Sequence, residues 1–312
     1  MIIPILMLAI GLAMLLTAAH VIIPGTISIA HYLRIPAHVV AVLLIAAGTS
    51  APELVVAVQA GLNGTPEIVW GNIIGSNITN ILVVLSITGL LFTINTNDLA
   101  IKRDMLLLIA ITALICLPAY YFYSLPLFVG FLLVIILASY TFFLVKQKPS
   151  EKETEKNLTE KLSFQRTLIY CFFGITGLIL GADTMIKGAV ELANNLSISK
   201  TVIGLTIIAF GTSLPEIAAA VASLFHRRFD MALGSIIGSN IFNIVAGLGI
   251  TRFVSELQIS KDMLSMGMPT MIFATLTLAI FILTQRPIGK IVSCYFLTIY
   301  VIFLWLNLVI SG

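Results

Sequence analysis

The chain has 312 residues, 59% of them hydrophobic and 10% charged, and a formal net charge of +3. A water-soluble domain of this length carries about 25% charged residues, so the composition excludes a soluble globular protein. Apolar runs near the ~20 residues that cross a bilayer recur from end to end, and they predict an all-α polytopic membrane protein with no nucleic-acid partner.

Ten spans are predicted, at roughly 3–24, 38–61, 68–91, 104–122, 126–145, 166–190, 200–225, 230–253, 263–283 and 288–310. The first has no basic n-region and no small-residue cleavage site, so it reads as a span rather than a signal peptide. His20 falls within it. Cys116, Cys171 and Cys294 lie in apolar spans without a CxxC pair and read as buried free thiols.

The second span carries GTSAPE at 48–53. Pro52 lacks an N–H, and its ring clashes with the carbonyl four residues back. A kink or opening is expected there, with Gly48 lending backbone freedom. Carbonyls released in hydrocarbon cost several kcal/mol each unless satisfied. The hydroxyls of Thr49 and Ser50 lie four and three residues before Glu53, on the same helical face. Carbonyl, hydroxyl and carboxylate oxygens on one point suit a hard cation such as Ca²⁺ or Na⁺. A carboxylate at mid-membrane costs at least ~2.5–3.5 kcal/mol on insertion scales and is functional by default. Lys187, Arg252 and the histidines are the available pairing bases, all nearer predicted span ends. The third span carries GNIIGSNITN at 71–80, in which Ser76 and Asn80 share a face, and Gly71/Gly75 permits close helix packing.

Residues 146–166, KQKPSEKETEKNLTEKLSFQR, form the one strongly polar stretch, with six basic and four acidic residues. It reads as a solvated linker (146–165) between a first five-helix half, 1–145, and a second, 166–312. Sliding the chain by 163 residues lays 46–80 over 209–243 with 16 identities in 35 positions. Thr212, Ser213, Pro215 and Glu216 repeat the first motif, and Ser239 and Asn243 the second. Internal duplication follows. Five spans per copy would invert the second copy, and transporters of that build place substrate at the midplane where broken helices meet. Of 17 Lys and Arg, 13 fall in odd-numbered connections. The positive-inside bias then puts the linker in the cytoplasm and both termini outside.

Two facing carboxylates would give an empty site a charge near −2, costly to carry across a dry barrier. Ca²⁺, two Na⁺ or two protons would cancel it, which predicts obligatory exchange rather than enzymatic chemistry. A passive channel would not need duplicated trapping sites. An intramembrane hydrolase would need a nucleophile and base that no Ser–His or Asp pair supplies.

GTSxPE followed by GxIIGSNIxN, twice in a five-plus-five chain, resembles the Ca²⁺:cation antiporter family, of the prokaryotic sodium/calcium exchanger type. The resemblance implies ten transmembrane helices in two inverted repeats, with α-repeats at about 38–91 and 200–253. It implies that Glu53 and Glu216 bind Ca²⁺ and share Na⁺. It also assigns Thr49, Ser50, Ser76, Thr212, Ser213 and Ser239, with the carbonyls of Ala46 and Ala209, to flanking ion positions. Asn80 and Asn243 match the polar pair of the third and eighth spans, and the first and sixth spans would slide as a gate. Ca²⁺ and Na⁺ would be substrates rather than cofactors, the bilayer the one obligatory partner, and a prokaryotic inner membrane the location. Coupling to H⁺, or another divalent substrate, fits the same fold. The chain departs from the pattern twice. Some prokaryotic members and the potassium-dependent exchangers have Asp where Asn243 stands, and family members more often have Asp where His20 stands. His20 reads as an interfacial histidine or a proton-sensitive element, and His31, His38 and His226 as unremarkable loop-side residues.

Overall fold

A computed structural model describes residues 2–149, 162–196 and 211–311, and 85% of the described residues are helical. Helices follow from the composition, because a backbone in hydrocarbon must satisfy its own polar groups. In chain order these are α1 (Ile2–Leu33), α2 (Ala37–Thr49), α3 (Ala51–Leu62) and α4 (Pro66–Leu91). Next come α5 (Leu99–Phe122), α6 (Leu127–Val145), α7 (Phe164–Asn195) and α8 (Leu214–Phe225). The last are α9 (Phe229–Val254), α10 (Met263–Leu283) and α11 (Lys290–Ser311). Among the described residues seven helices are long and apolar enough to cross a membrane, or eight if α2 and α3 form one bent span; α8 and part of α11 are shorter apolar helices. The first part of the predicted span 200–225 lies outside the described residues.

α1 runs nine residues beyond its predicted end at 24. Pro24 lies inside it without ending it, because the turns around the proline are held by burial of Ile22, Ile23, Thr26 and Ile27. Its 32 residues extend about 48 Å, more than the ~30 Å of hydrocarbon. Such a helix tilts or protrudes.

The chain divides into two compact units, each drawing on both halves of the sequence. The first holds residues 1–49 and 145–235. In it α1 and α7 pack along their lengths, and the close approaches show them antiparallel. A Cβ on Gly188 would lie 2.8 Å from the Pro4 carbonyl oxygen, one on Gly181 2.9 Å from the Leu15 nitrogen, and one on Gly174 2.6 Å from Ile22 Cβ. As the register rises in α7 it falls in α1. Small residues let membrane helices meet backbone to backbone, where dispersion replaces the absent hydrophobic drive. α8 packs on both helices, and its C-terminal His226 stacks on His20 of α1, ring centroids 5.0 Å apart. The sequence reading of His226 as unremarkable therefore fails, since the contact depends on packing between remote segments.

Just beyond α8, buried Arg228 meets Asp230 through Nε at 3.2 Å and Nη2 at 3.0 Å. Asp230→Asn should cost about 1.5–3 kcal/mol, the range for hydrogen bonds to charged groups. A thermal melt in detergent checks this, and an unchanged midpoint would rule it out.

The second unit holds residues 50–144 and 236–312. α3 packs on α4 and on the C-terminal half of α9, α4 also touches α10 and α11, and α5 packs on α10. Two-residue strands β1 (Ser124–Leu125) and β2 (Leu257–Gln258) pair antiparallel. Arg252 Nε donates to the Leu125 carbonyl at 2.6 Å and Nη1 to that of Ser255 at 3.2 Å. Trp70, fully buried, donates Nε1 to the Leu257 carbonyl at 3.4 Å. Cys116 and Cys171 are buried, but Cys294 is exposed, because it lies on an outward stripe of α11.

Candidate functional site: two broken helices and their polar neighbours

The chain leaves helical geometry at Ser50, with φ −87° and ψ 2°, and α2 and α3 meet at 47°. Ser213 repeats those dihedrals almost to the degree, at φ −90° and ψ 4°. The new helices start at Ala51 and Leu214, so Pro52 and Pro215 sit in their first turns, where a missing N–H costs nothing. The break thus lies before the proline, not at the carbonyl of Gly48 as the clash argument predicted. Gly48 serves close packing instead, since a Cβ there would lie 3.2 Å from Ile175 Cδ1 of α7. Gly211, at the equivalent position of the second copy, likewise faces Ile186 of α7.

Restarting the helix places Glu53 and Glu216 in a first turn, where free N–H groups and the helix dipole favour a negative charge. Both are buried, 2% and 5% exposed. The restart also modifies the face argument of the sequence, because Thr49 and Glu53 belong to different helical segments. The carbonyls of Ser50 and Ser213 accept the first bonds of the new helices, from Leu54 at 3.2 Å and Ile217 at 3.0 Å. Neither serine caps with its side chain. Ser50, Ser213 and Thr49 are buried and Thr212 is partly exposed. Thr49 Oγ1 lies 3.3 Å from the Ala46 carbonyl oxygen. Ala209 lies outside the described residues.

In the second unit Glu53, Ser76, Asn80, Ser239 and Asn243 all lie on mutually packed elements, α3, α4 and α9, and all are buried. The backbone adds something the sequence did not signal. At Asn80 α4 widens into a π-helical turn, 80–84, and at Asn243 α9 does the same over 243–248. A third π segment, 41–46, precedes the first GTS break. Such turns are rare and concentrate at functional sites, since the i→i+5 pattern shifts carbonyls and side chains out of α register. The Asn243 amide and the Ser239 hydroxyl have no hydrogen-bond partner among the described residues, nor does the side-chain carbonyl oxygen of Asn80. Buried polar groups of this kind carry a desolvation penalty that a ligand would relieve.

Asn72, Asn77 and Asn240 are further polar residues on these elements, outside the residues that the sequence motifs single out as ion ligands. Asn72 Nδ2 donates to the Glu53 carbonyl at 2.8 Å, tying α4 to the first turn of α3. Its counterpart Ser235 is shorter and bonds the Ala232 carbonyl of its own helix. Asn77 and Asn240 stand at the same place in the two GSN triplets, and both are buried. Asn77 donates to the Ile73 carbonyl at 2.8 Å. The repeat had marked these two by identity, but only packing shows them inside. Of the bases weighed as partners for the glutamates, Lys187 pairs with Asp183 at 2.6 Å on an exposed face, and Arg252 holds the carbonyls described above.

Each half thus carries a buried carboxylate at a helix break and a π turn beginning at an asparagine, and oxygen donors of these types suit a hard cation. The sodium/calcium exchanger protein family matches the chain twice, over residues 3–146 and 167–309. The putative antiporter CaxA of Alkalimonas amylolytica is 34% identical over 292 residues, covering 90% of this chain and 89% of its own. The inner membrane protein YrbG of Escherichia coli is 29% identical, with 96% and 97% covered. The sodium/calcium exchanger MaX1 of Methanosarcina acetivorans is 27% identical over 338 residues, with 96% and 97% covered. Among solved structures, one of the sodium–calcium exchanger NCX_Mj superposes with a TM-score of 0.84 at 27% identity, covering 97% of each chain. Two matches to one family, in tandem and spanning almost the entire length, place this chain in the sodium/calcium exchanger family.

Proposed function

We propose that the chain is a secondary active antiporter that moves Ca²⁺ against Na⁺ by alternating access. Glu53 and Glu216 hold the cation, with oxygens from Thr49, Ser50, Thr212, Ser213, Ser76, Ser239, Asn80 and Asn243 and the carbonyls of Ala46 and Ala209. The observation that carries this reading is a buried glutamate in the first turn of a restarted helix, found at the same register in both halves. A net charge near −2 without cations disfavours reorientation, and Ca²⁺ or Na⁺ restores neutrality; exchange, rather than leak, follows.

Ten spans arranged as two inverted halves, 1–145 and 166–312 around the linker 146–165, complete the proposal. The antiparallel run of α1 against α7, equivalent helices of the two copies, supports the inversion. The basic residues support a cytoplasmic linker with both termini outside, in a prokaryotic inner membrane. Na⁺ as counter-ion is supported by the family and by the names of MaX1 and NCX_Mj.

Proteoliposomes loaded with Na⁺ and diluted into Na⁺-free medium with ⁴⁵Ca²⁺ provide the test. Uptake should follow the outward Na⁺ gradient and vanish when Na⁺ is equal on both sides. Uptake that ignores Na⁺ and follows an imposed pH gradient would reassign the coupling ion to H⁺.

A further inference from the structure

α5 and α6 enclose, within the second unit, a groove of about 360 Å³ that the ion-binding reading leaves unused. Leu107, Ile135, Ile136 and Phe143 form its apolar walls. Ile135 and Phe143 are 58% and 50% exposed on helices apolar enough to span a membrane, so the groove opens toward lipid. At one end stands Arg103, in the second turn of α5 and next to Lys102. Its Nε lies 2.8 Å and its Nη2 2.6 Å from Oδ1 of Asp104, and its guanidinium carbon lies 5.0 Å from the centre of the Phe143 ring. Asp104 is 1% exposed, whereas the Arg103 side chain keeps 31%.

An arginine so held has a fixed orientation. Five donors form its fork; Nε donates to Asp104 and Nη2 meets the same oxygen as an ion pair, so the two Nη1 donors are not taken up by that carboxylate. Ion pairing to a buried carboxylate and stacking on an aromatic ring remove the rotamer freedom that an exposed arginine would lose on binding. The groove then descends from the charged end along α6, from Phe143 to Ile135, about 12 Å at helical rise. A cationic head at the helix end and an apolar trough leading into the bilayer match a phosphate with an acyl chain attached. Lys102 and Arg103 offset Asp98 and Asp104 at this helix end, so Arg103 is the cation that the groove itself presents, and basic pockets between membrane helices suit anionic head groups. We propose that this groove binds one anionic phospholipid, its phosphate on Arg103 and one acyl chain between α5 and α6.

The inference is independent of the transport reading and is tested by binding. The purified full-length protein in dodecyl maltoside is titrated with dioleoyl phosphatidylglycerol or dioleoyl phosphatidylcholine, and retained lipid is counted by native mass spectrometry. Wild type should retain one phosphatidylglycerol about fivefold more readily than phosphatidylcholine, the gain expected for one basic residue at the surface. The double variant Arg103→Gln/Asp104→Asn removes both charges together, so no buried carboxylate is stranded, and it should lose that preference. Ser139→Trp, at an exposed groove position, should lower retention of both lipids while leaving the lipid-free melting temperature unchanged. Equal retention of the two lipids by wild type, an intact preference in the double variant, or undiminished retention in Ser139→Trp would each overturn the proposal. Displacement of phosphatidylglycerol by inorganic phosphate alone would also overturn it, identifying an ion site rather than a lipid site.

Discussion

Replacing Glu53 or Glu216 with glutamine should abolish ⁴⁵Ca²⁺ uptake while leaving a folded, monodisperse protein. Each glutamate is buried in the first turn of a helix that restarts after a break. Glutamine keeps the shape and an acceptor oxygen but removes the charge that a divalent ion must meet. Affinity of oxygen sites for Ca²⁺ varies over several orders of magnitude with ligand charge and rigidity, so each single variant should lose at least about 100-fold in transport. Stability should hold or rise, because a neutral amide costs less to bury at membrane depth than a carboxylate. The combination of lost transport and a melting temperature that does not fall separates a ligand from a structural residue. Wild-type uptake by either variant would refute the two-carboxylate mechanism.

Gly181→Leu should have the largest effect on folding. A Cβ there would sit 2.9 Å from the Leu15 nitrogen and 3.1 Å from the Gly11 carbonyl oxygen. Those are backbone atoms of α1, which cannot rotate away as a side chain does. Accommodating leucine therefore requires α1 and α7 to separate along the seam that Gly174 and Gly188 share. Overpacking a well-filled contact costs typically ~1–3 kcal/mol and more where backbone must shift, and this position belongs to the upper end. Size-exclusion profiles and thermal melts in detergent would report it as aggregation or a marked fall in melting temperature. Gly75→Ala is the matched control, since nothing lies within 4 Å of a Cβ at that position, and it should behave as wild type. A Gly181→Leu protein as stable as that control would show that the seam does not hold α1 and α7 together.

Much of this protein was legible from residue order alone. Apolar runs near bilayer length located the helices, and the predicted boundaries of α4, α5, α6 and α10 fall within about five residues of the observed ones. An offset of 163 paired GTSAPE with GTSLPE, and the matching dihedrals of Ser50 and Ser213 agree with that pairing. Such features are local or periodic. Span length depends on summed hydropathy and helix rise, and a duplicated motif carries its backbone geometry with it.

Other features depended on neighbours remote in sequence. Pro52 marked a break but not its place, because whether a proline interrupts a helix or begins one is settled by which carbonyls the surroundings can satisfy. Pro24, inside an unbroken α1, shows the opposite outcome from the same residue. The π turns at Asn80 and Asn243 had no composition signal, since one extra residue per turn is stabilised by packing rather than by propensity. The stacking of His20 on His226, the brace from Asn72 to the Glu53 carbonyl, and the Arg103–Asp104 groove likewise arise only when separate helices meet. Residue order by itself determined that this is a duplicated membrane protein with a carboxylate in each copy. Tertiary structure decided where the helices break and which small residues touch, because contact between distant segments is set by shape and burial.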